Sequence, residues 1–150
     1  MNMSEFIAVD TNFILSVLIK RNNTETALKI LSGAIDNYEK IFVPNHVIVE
    51  TIYVLEGLHK YGNNVKKLEK TSIKNYIYSI INTPKIVLEN KKIIEKALEL
   101  YERESINFGD ALIAVIVLNK GIKKIISFDS HFLKIKELKV INSILFPNPD

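Results

Sequence analysis

Short apolar runs alternate with longer amphipathic segments along nearly the whole chain, and this alternation limits the fold more than any other feature. The runs with strand character cover residues 6–9, 40–43, 84–88 and 124–128, with a last candidate at 139–141. Strands that alternate with helices are typical of α/β proteins with a mainly parallel sheet. We therefore predict one domain, residues 1–150, with three α/β/α layers and a central sheet of four to five strands. The first run should be a central strand that is covered on both faces.

Helical periodicity fills the intervals between these runs. The predicted helices cover residues 12–19, 24 to about 35, 44–59, 65–81, 91–105 and 111–118. Pro44 suits the first turn of the third helix, where its missing N–H costs nothing. Gly121 suits the position just beyond the end of the sixth helix. Residues 107–110 are predicted to form a turn that leads into this last and most hydrophobic helix.

Composition excludes several classes of protein. The chain has no cysteine, which rules out disulfides and thiolate metal sites. No apolar run reaches the roughly 18 residues that a membrane span needs, and we expect a cytoplasmic protein. The net charge of +3 permits a polyanionic partner without requiring one.

Four acidic residues stand in positions where acids are unusual. Asp10 and Asp129 each follow an apolar strand, and Asp110 precedes the most hydrophobic helix. Glu50 falls in line with the predicted inward stripe of the third helix. Each acid alone has an ordinary explanation, as a helix cap, a turn former, a charge near a helix dipole or a partner of a lysine.

The acids together are harder to explain in that way. The carboxyl ends of parallel strands meet at one edge of a sheet, which can bring Asp10 and Asp129 together, and a helix that begins there brings Asp110. Carboxylates at such short range raise one another's pKa unless a cation compensates them. Hard divalent cations prefer oxygen ligands and leave room for a phosphate. The pattern therefore predicts a metal site suited to phosphodiester hydrolysis.

These segments resemble the PIN-domain family over nearly the whole chain. The resemblance rests on Val9-Asp10-Thr11-Asn12, on Glu50 within Val47–Thr51, on Gly109-Asp110-Ala111-Leu112-Ile113-Ala114, and on Ser127-Phe128-Asp129 with Phe132. The most specific part is Asp-Ala-Leu-Ile-Ala, followed by Asp-Thr-Asn. The length is similar to that of the VapC-type toxins of toxin–antitoxin pairs. The resemblance implies an endoribonuclease dependent on Mg²⁺ or Mn²⁺, neutralised by a small antitoxin and usually a homodimer.

The resemblance also implies roles for individual residues. The acidic quartet would be Asp10, Glu50, Asp110 and Asp129, of which Asp10 and Asp110 would be the most direct metal ligands. Asp129 and Glu50 would hold metal waters or a second ion and orient the attacking water. Thr11 and Asn12 would hydrogen-bond the first aspartate or the scissile phosphate.

One position departs from the family pattern. Many relatives carry a further acid two residues after the last aspartate, where this chain has His131. His131 could be a ligand or a phosphate contact, and we interpret it as a neutral replacement because a lone histidine carries little signal. The replacement of an acid by His131 weakens the prediction of a second metal ion. Lys20, Arg21 and the stripe of Lys66, Lys70 and Lys74 could guide RNA, but solvated helix faces often look the same.

Three other functions fit parts of the pattern. An aspartate-nucleophile phosphotransferase would need a second acid where Asn12 stands. A non-catalytic PIN-like module that binds RNA or protein gives no reason to gather four carboxylates, and a purely structural α/β domain leaves them equally unexplained.

Overall fold

The computed structural model describes residues 5–61 and 68–142, and of residues 58–61 only the backbone. The described residues fall into two compact units that divide between Lys91 and Lys92. Every strand pairing in the described residues is parallel, and helices separate most of the strands. The predicted α/β class with a parallel sheet is therefore confirmed. No helix among the described residues is long and apolar enough to cross a membrane.

The first unit holds a three-stranded sheet and four helices. Its elements in chain order are β1 (Phe6–Ala8), α1 (Thr11–Leu18), α2 (Thr24–Asn37), β2 (Lys40–Val43), α3 (Asn45–Tyr61), α4 (Lys70–Ile81) and β3 (Ile86–Leu88). Strand β2 lies between β1 and β3, with Ile41 opposite both Ile7 and Ile86. We predicted that the first strand would be central, but the central strand of this sheet is β2. Because the strands are parallel, their carboxyl ends lie at one edge, where Asp10, Asn45 and Glu89 follow them.

The core of the first unit comes from the inner faces of these elements. Helix α1 packs against α2 and α3, and α3 packs against α4. The fully buried apolar side chains include Ile14, Leu15, Ile41, Val43, Ile48, Ile52, Leu55, Ile73 and Ile77. Thr51 is a buried polar residue on α3, and its hydroxyl donates to the carbonyl of Val47 at 2.7 Å. This bond satisfies a polar group that burial would otherwise make costly.

The second unit contains two helices and a pair of strands. Its elements are α5 (Lys91–Arg103, which begins at the boundary), α6 (Phe108–Asn119), β4 (Lys124–Ile126), a 3₁₀ helix (Ser130–Lys134) and β5 (Lys139–Ile141). The rings of Tyr101 and Phe108 meet edge to face, with centroids 5.9 Å apart, and both residues are buried. Gly121 follows α6 with a φ of 77°, as its predicted position after the helix requires.

Several predicted boundaries differ from the structure. Residues 68 and 69 are not helical, and α4 begins at Lys70, while residues 65–67 lie outside the described ranges. Residues 108–110 form the first turn of α6 and not a separate turn. Strand β4 ends at Ile126, although the N–H of Ser127 still donates to the carbonyl of Ile141 at 3.1 Å. The five strands also form two separate sheets within their units, one of three strands and one of two.

Candidate metal centre

Asp110, Asp129 and His131 lie together in the second unit. Nδ1 of His131 is 2.9 Å from Oδ2 of Asp110 and 3.4 Å from Oδ1 of Asp129. One ligand atom from each residue can be chosen so that all three lie within 4.8 Å of one another. The carboxyl end of β4 and the first turn of α6 therefore converge, as the sequence predicted for Asp110 and Asp129.

Asp110 is held in place by the N-cap of its own helix. The side-chain oxygen of Asn107 accepts a hydrogen bond from the N–H of Asp110 at 2.8 Å. An N-cap oxygen in this position satisfies a donor that the first turn leaves without a helical partner. The Asp110 side chain is only 13% exposed, so its carboxylate has little freedom to move away from His131.

Asp129 is held by a tight turn after β4. Its N–H donates to Oγ of Ser127, and its Oδ1 accepts from the N–H of His131, both at 2.9 Å. The latter bond makes Asp129 the N-cap of the 3₁₀ helix. That same backbone hydrogen bond is the main reason that the pKa of Asp129 lies below 3.8. Desolvation opposes the shift, while a hydrogen bond with Asp110 and the charge of protonated His131 reinforce it.

The three side chains fit a divalent cation. Two carboxylates supply oxygen ligands, and neutral imidazole supplies a nitrogen ligand. A carboxylate that accepts one backbone N–H still has lone pairs for an ion, so the capping role of Asp129 is compatible with metal binding. Asp110, Asp129 and His131 could therefore hold a metal ion, whose identity the donor set alone does not fix.

Asp10 lies in the first unit, at the carboxyl end of β1, and is the N-cap of α1. Its Oδ1 accepts a hydrogen bond from the N–H of Phe13 at 2.9 Å. Thr11 and Asn12 are the first two residues of α1, so the Asp-Thr-Asn motif forms the strand-to-helix turn. The hydroxyl of buried Ser16, four residues later, donates a hydrogen bond to the carbonyl of Asn12 at 2.9 Å. This bond stabilises the turn.

The predicted environment of Glu50 was wrong. Its side chain is 47% exposed and lies outside the buried face of α3. That face consists of Val47, Ile48, Thr51, Ile52 and Leu55. At 100° per residue, Glu50 lies about 130° from the middle of this face. Its Oε1 lies 2.5 Å from Nε2 of His46, one helical turn earlier.

Several polar residues around these acids were not predicted from the sequence. Asn107 precedes Asp110 with the spacing of an N-cap residue and its acceptor turn, which was a readable signal. The spacing of four residues between His46 and Glu50 is likewise typical of paired side chains on a helix. Ser127 gave no such signal. His131 was interpreted as a neutral replacement, whereas the structure places its ring against both aspartates.

Glu89 and Lys74 make further polar contacts in the first unit. Oε1 of Glu89 accepts from the N–H of Asn45 at 2.9 Å and so caps α3 from the end of β3. Nζ of Lys74 lies 5.7 Å from the ring centroid of Tyr78, which is a cation–π contact. Lys66, the first residue of the predicted lysine stripe, lies outside the described residues.

Comparison with known proteins identifies related sequences. The family model of the PIN domain matches residues 7–138. A curated relative, the VapC ribonuclease of Aquifex aeolicus (strain VF5), is 32% identical over 128 residues, which cover 85% of this chain and 90% of that protein.

Two solved structures are similar to this chain at low sequence identity. The crystal structure of VapC20 from Mycobacterium tuberculosis, a toxin that cleaves the sarcin–ricin loop, is 16% identical with a TM-score of 0.36. The match covers 86% of this chain and 93% of that one. VapBC2 from Rickettsia felis, bound to a DNA fragment from its promoter, is 17% identical with a TM-score of 0.38 and covers 92% of this chain and 98% of that one.

Proposed function

The chain belongs to the PIN-domain family, and from this we propose that it is a metal-dependent endoribonuclease, the toxin of a toxin–antitoxin pair. The single observation that carries the proposal is the cluster of Asp110, Asp129 and His131. Asp110 and Asp129 lie on segments whose resemblance to the PIN-domain family implies metal ligands, and His131 stands where many relatives carry an acid. The similarity to a VapC ribonuclease supports RNA as the substrate.

The proposed chemistry is hydrolysis of a phosphodiester bond. A divalent cation, when bound, lowers the pKa of water and offsets the negative charge of the phosphate. Asp110 and Asp129 would hold Mg²⁺ or Mn²⁺, with Asp10 as a further ligand that the family pattern assigns. Both aspartates of the second unit have fixed side chains before metal binds, so little ordering is needed to form the site.

The remaining family positions would act on substrate and water. Glu50 would orient the attacking water, and its carboxylate would first have to exchange its contact with His46 for one with water. Thr11 and Asn12, in the first turn of α1, would donate hydrogen bonds to the scissile phosphate. Helix N-termini attract anions, which favours this assignment for the Asp-Thr-Asn turn.

The family assignment also suggests partners and location. A small antitoxin would neutralise the protein, two copies of the chain would form a homodimer, and an RNA substrate would place the protein in the cytoplasm. We further propose that residues 1–150 act as one catalytic domain, since the family model spans both compact units. Co-purification with the product of a neighbouring reading frame would test the antitoxin directly.

Cleavage of total cellular RNA tests the proposed function. Purified wild-type protein is incubated with Mg²⁺, Mn²⁺ or EDTA, beside the Asp110→Asn variant. Discrete fragments that require metal and are absent with the variant would support a specific endoribonuclease and identify its substrate. Folded protein, freed of co-purifying partners, that cleaves nothing with either metal would contradict the proposal.

The main alternative is a non-catalytic module that binds RNA or protein. RNA binding without cleavage, unchanged by EDTA and by Asp110→Asn, would favour that alternative. The cluster of two carboxylates argues against it, because fixed negative charge repels a polyanion unless a cation lies between them.

A further inference from the structure

His131 stands within contact distance of both aspartates of the metal centre, where the family pattern has an acid. Its Nδ1 atom, not its Nε2 atom, faces the carboxylates, at 2.9 Å from Asp110 and 3.4 Å from Asp129. The backbone of His131 is positioned as well, because its N–H donates to Oδ1 of Asp129. The imidazole therefore belongs to the same cluster as the two acids.

These distances match those between ligands of one ion. Adjacent ligands around an octahedral ion with bonds of about 2.1 Å lie about 3 Å apart. The separations of 2.9 and 3.4 Å from Nδ1 to the two carboxylate oxygens agree with such neighbouring positions. To bind a cation through Nδ1, His131 would exchange its 2.9 Å hydrogen bond with Oδ2 of Asp110 for the ion, with its own proton on Nε2.

We propose that His131 is a direct metal ligand and that its nitrogen shifts the preference of the site from Mg²⁺ towards Mn²⁺ and later first-row ions. This inference rests on the proposed function, since it concerns the same metal centre. Mg²⁺ is best held by an all-oxygen set of ligands, whereas imidazole suits transition metals. Replacing a carboxylate by imidazole also removes one negative charge, which lowers the electrostatic contribution to binding a hard ion.

Spectroscopy of bound Mn²⁺ tests the ligand without relying on activity. Electron spin echo modulation detects a coordinated imidazole nitrogen directly. We expect nitrogen modulation in the wild type and in the matched control His46→Asn, and its loss in His131→Asn. Asparagine keeps a hydrogen-bond donor near the place of Nδ1 but offers no ring nitrogen, so the pair of variants separates ligation from hydrogen bonding.

Competition between metals tests the selectivity. The ratio of the Mg²⁺ and Mn²⁺ dissociation constants is measured by calorimetry for the wild type and for His131→Asp. Loss of a hydrogen bond that orients a metal ligand, from a residue that does not itself bind the metal, costs about 10- to 100-fold in metal affinity. We therefore expect the preference for Mn²⁺ to fall at least about tenfold when aspartate replaces the imidazole.

The outcomes separate this inference from the proposed function. Bound Mn²⁺ without nitrogen modulation, modulation that survives His131→Asn, or an unchanged metal ratio in His131→Asp would overturn the role of His131 and leave a metal-dependent ribonuclease intact. Failure of the wild type to bind Mn²⁺ would overturn the ligand assignment, and the RNA cleavage experiment would show independently whether the enzyme still requires metal. The wild-type spectrum decides the ligand question even if a variant fails to fold.

Discussion

The side-chain oxygen of Asn107 accepts a hydrogen bond from the backbone N–H of Asp110 at 2.8 Å, so the residue that caps α6 also fixes the position of a candidate metal ligand. Asn107→Ala should lower the free energy of unfolding by about 1 kcal/mol, because it removes an N-cap. Asn107→Ser should restore most of that loss, since serine is an equally good cap.

Urea unfolding of the three proteins at neutral pH with EDTA measures this effect. If the alanine variant unfolds at the same urea concentration as the wild type, the capping role of Asn107 is refuted. Metal affinity of the alanine variant should fall as well, because the backbone of Asp110, from which the carboxylate projects, would lose a hydrogen bond that positions it.

Lys85 holds the end of helix α2. Its Nζ donates to the carbonyls of Ile35 and Tyr38, and its own backbone has a φ of 67°. A cation at the C-terminus of a helix stabilises the last carbonyls. Lys85→Met should keep most of the apolar stem and lose these bonds, lowering stability by about 1–3 kcal/mol.

Lys91→Met provides the matched control. Nζ of Lys91 donates to Oδ1 of Asn82 at 3.0 Å in an exposed hydrogen bond. Its loss should change stability by no more than about 0.5 kcal/mol. Equal denaturation midpoints for the Lys85 and Lys91 variants would show that the contacts of Lys85 add no more to stability than the exposed contact of Lys91.

Acid should weaken the second unit through Asp129. Because the pKa of this carboxyl group is lower in the folded protein than its usual 3.8, ionised Asp129 favours folding. Its contribution is fully present above the unfolded pKa and is lost as the pH falls through the lower folded pKa. The stability difference between wild type and Asp129→Asn should therefore shrink as the pH falls below about 4.

Thermal melts in EDTA from pH 2.5 to 7 would check this dependence. Asparagine can still accept the N–H of His131, so the comparison isolates the charge. A difference between the two proteins that does not vary over this range would contradict the argument.

Elements with strong local signals were predicted well from the sequence. Strand β2 and β5 have the predicted bounds, and Gly121 ends α6 with the positive φ that its position requires. At these positions the hydrophobic pattern and the backbone preferences favour the same secondary structure. Packing against distant residues does not change that structure. The proximity of Asp110 and Asp129 agrees with the prediction that a helix beginning at the carboxyl end of the strands brings Asp110 to Asp129.

Errors arose where two patterns compete on one segment. Glu50 was assigned to the inner face of α3, but Ile52 lies on that face, and the helix is oriented so that Glu50 is exposed. Apolar residues on more than one side of α3 make its inner face ambiguous from sequence alone. The contact of His131 depends on the direction of a side chain after a turn, which no periodicity encodes.

Charge-neutral variants of two aspartates test the central claim most directly. The single-turnover rate of cleavage of the identified RNA is measured with Mn²⁺ for the wild type, Asp10→Asn and Asp110→Asn. Asparagine caps helices as well as aspartate does, so Asp10→Asn should keep the turn into α1 intact. Glu25→Gln is the control, because Glu25 pairs with Lys29 at 3.3 Å on an exposed helix surface.

We expect both asparagine variants to lose at least about 100-fold in rate while keeping the circular dichroism spectrum of the wild type. Glu25→Gln should cleave as fast as the wild type. Full activity in Asp10→Asn and Asp110→Asn would contradict the assignment of these carboxylates to a metal-dependent catalytic site.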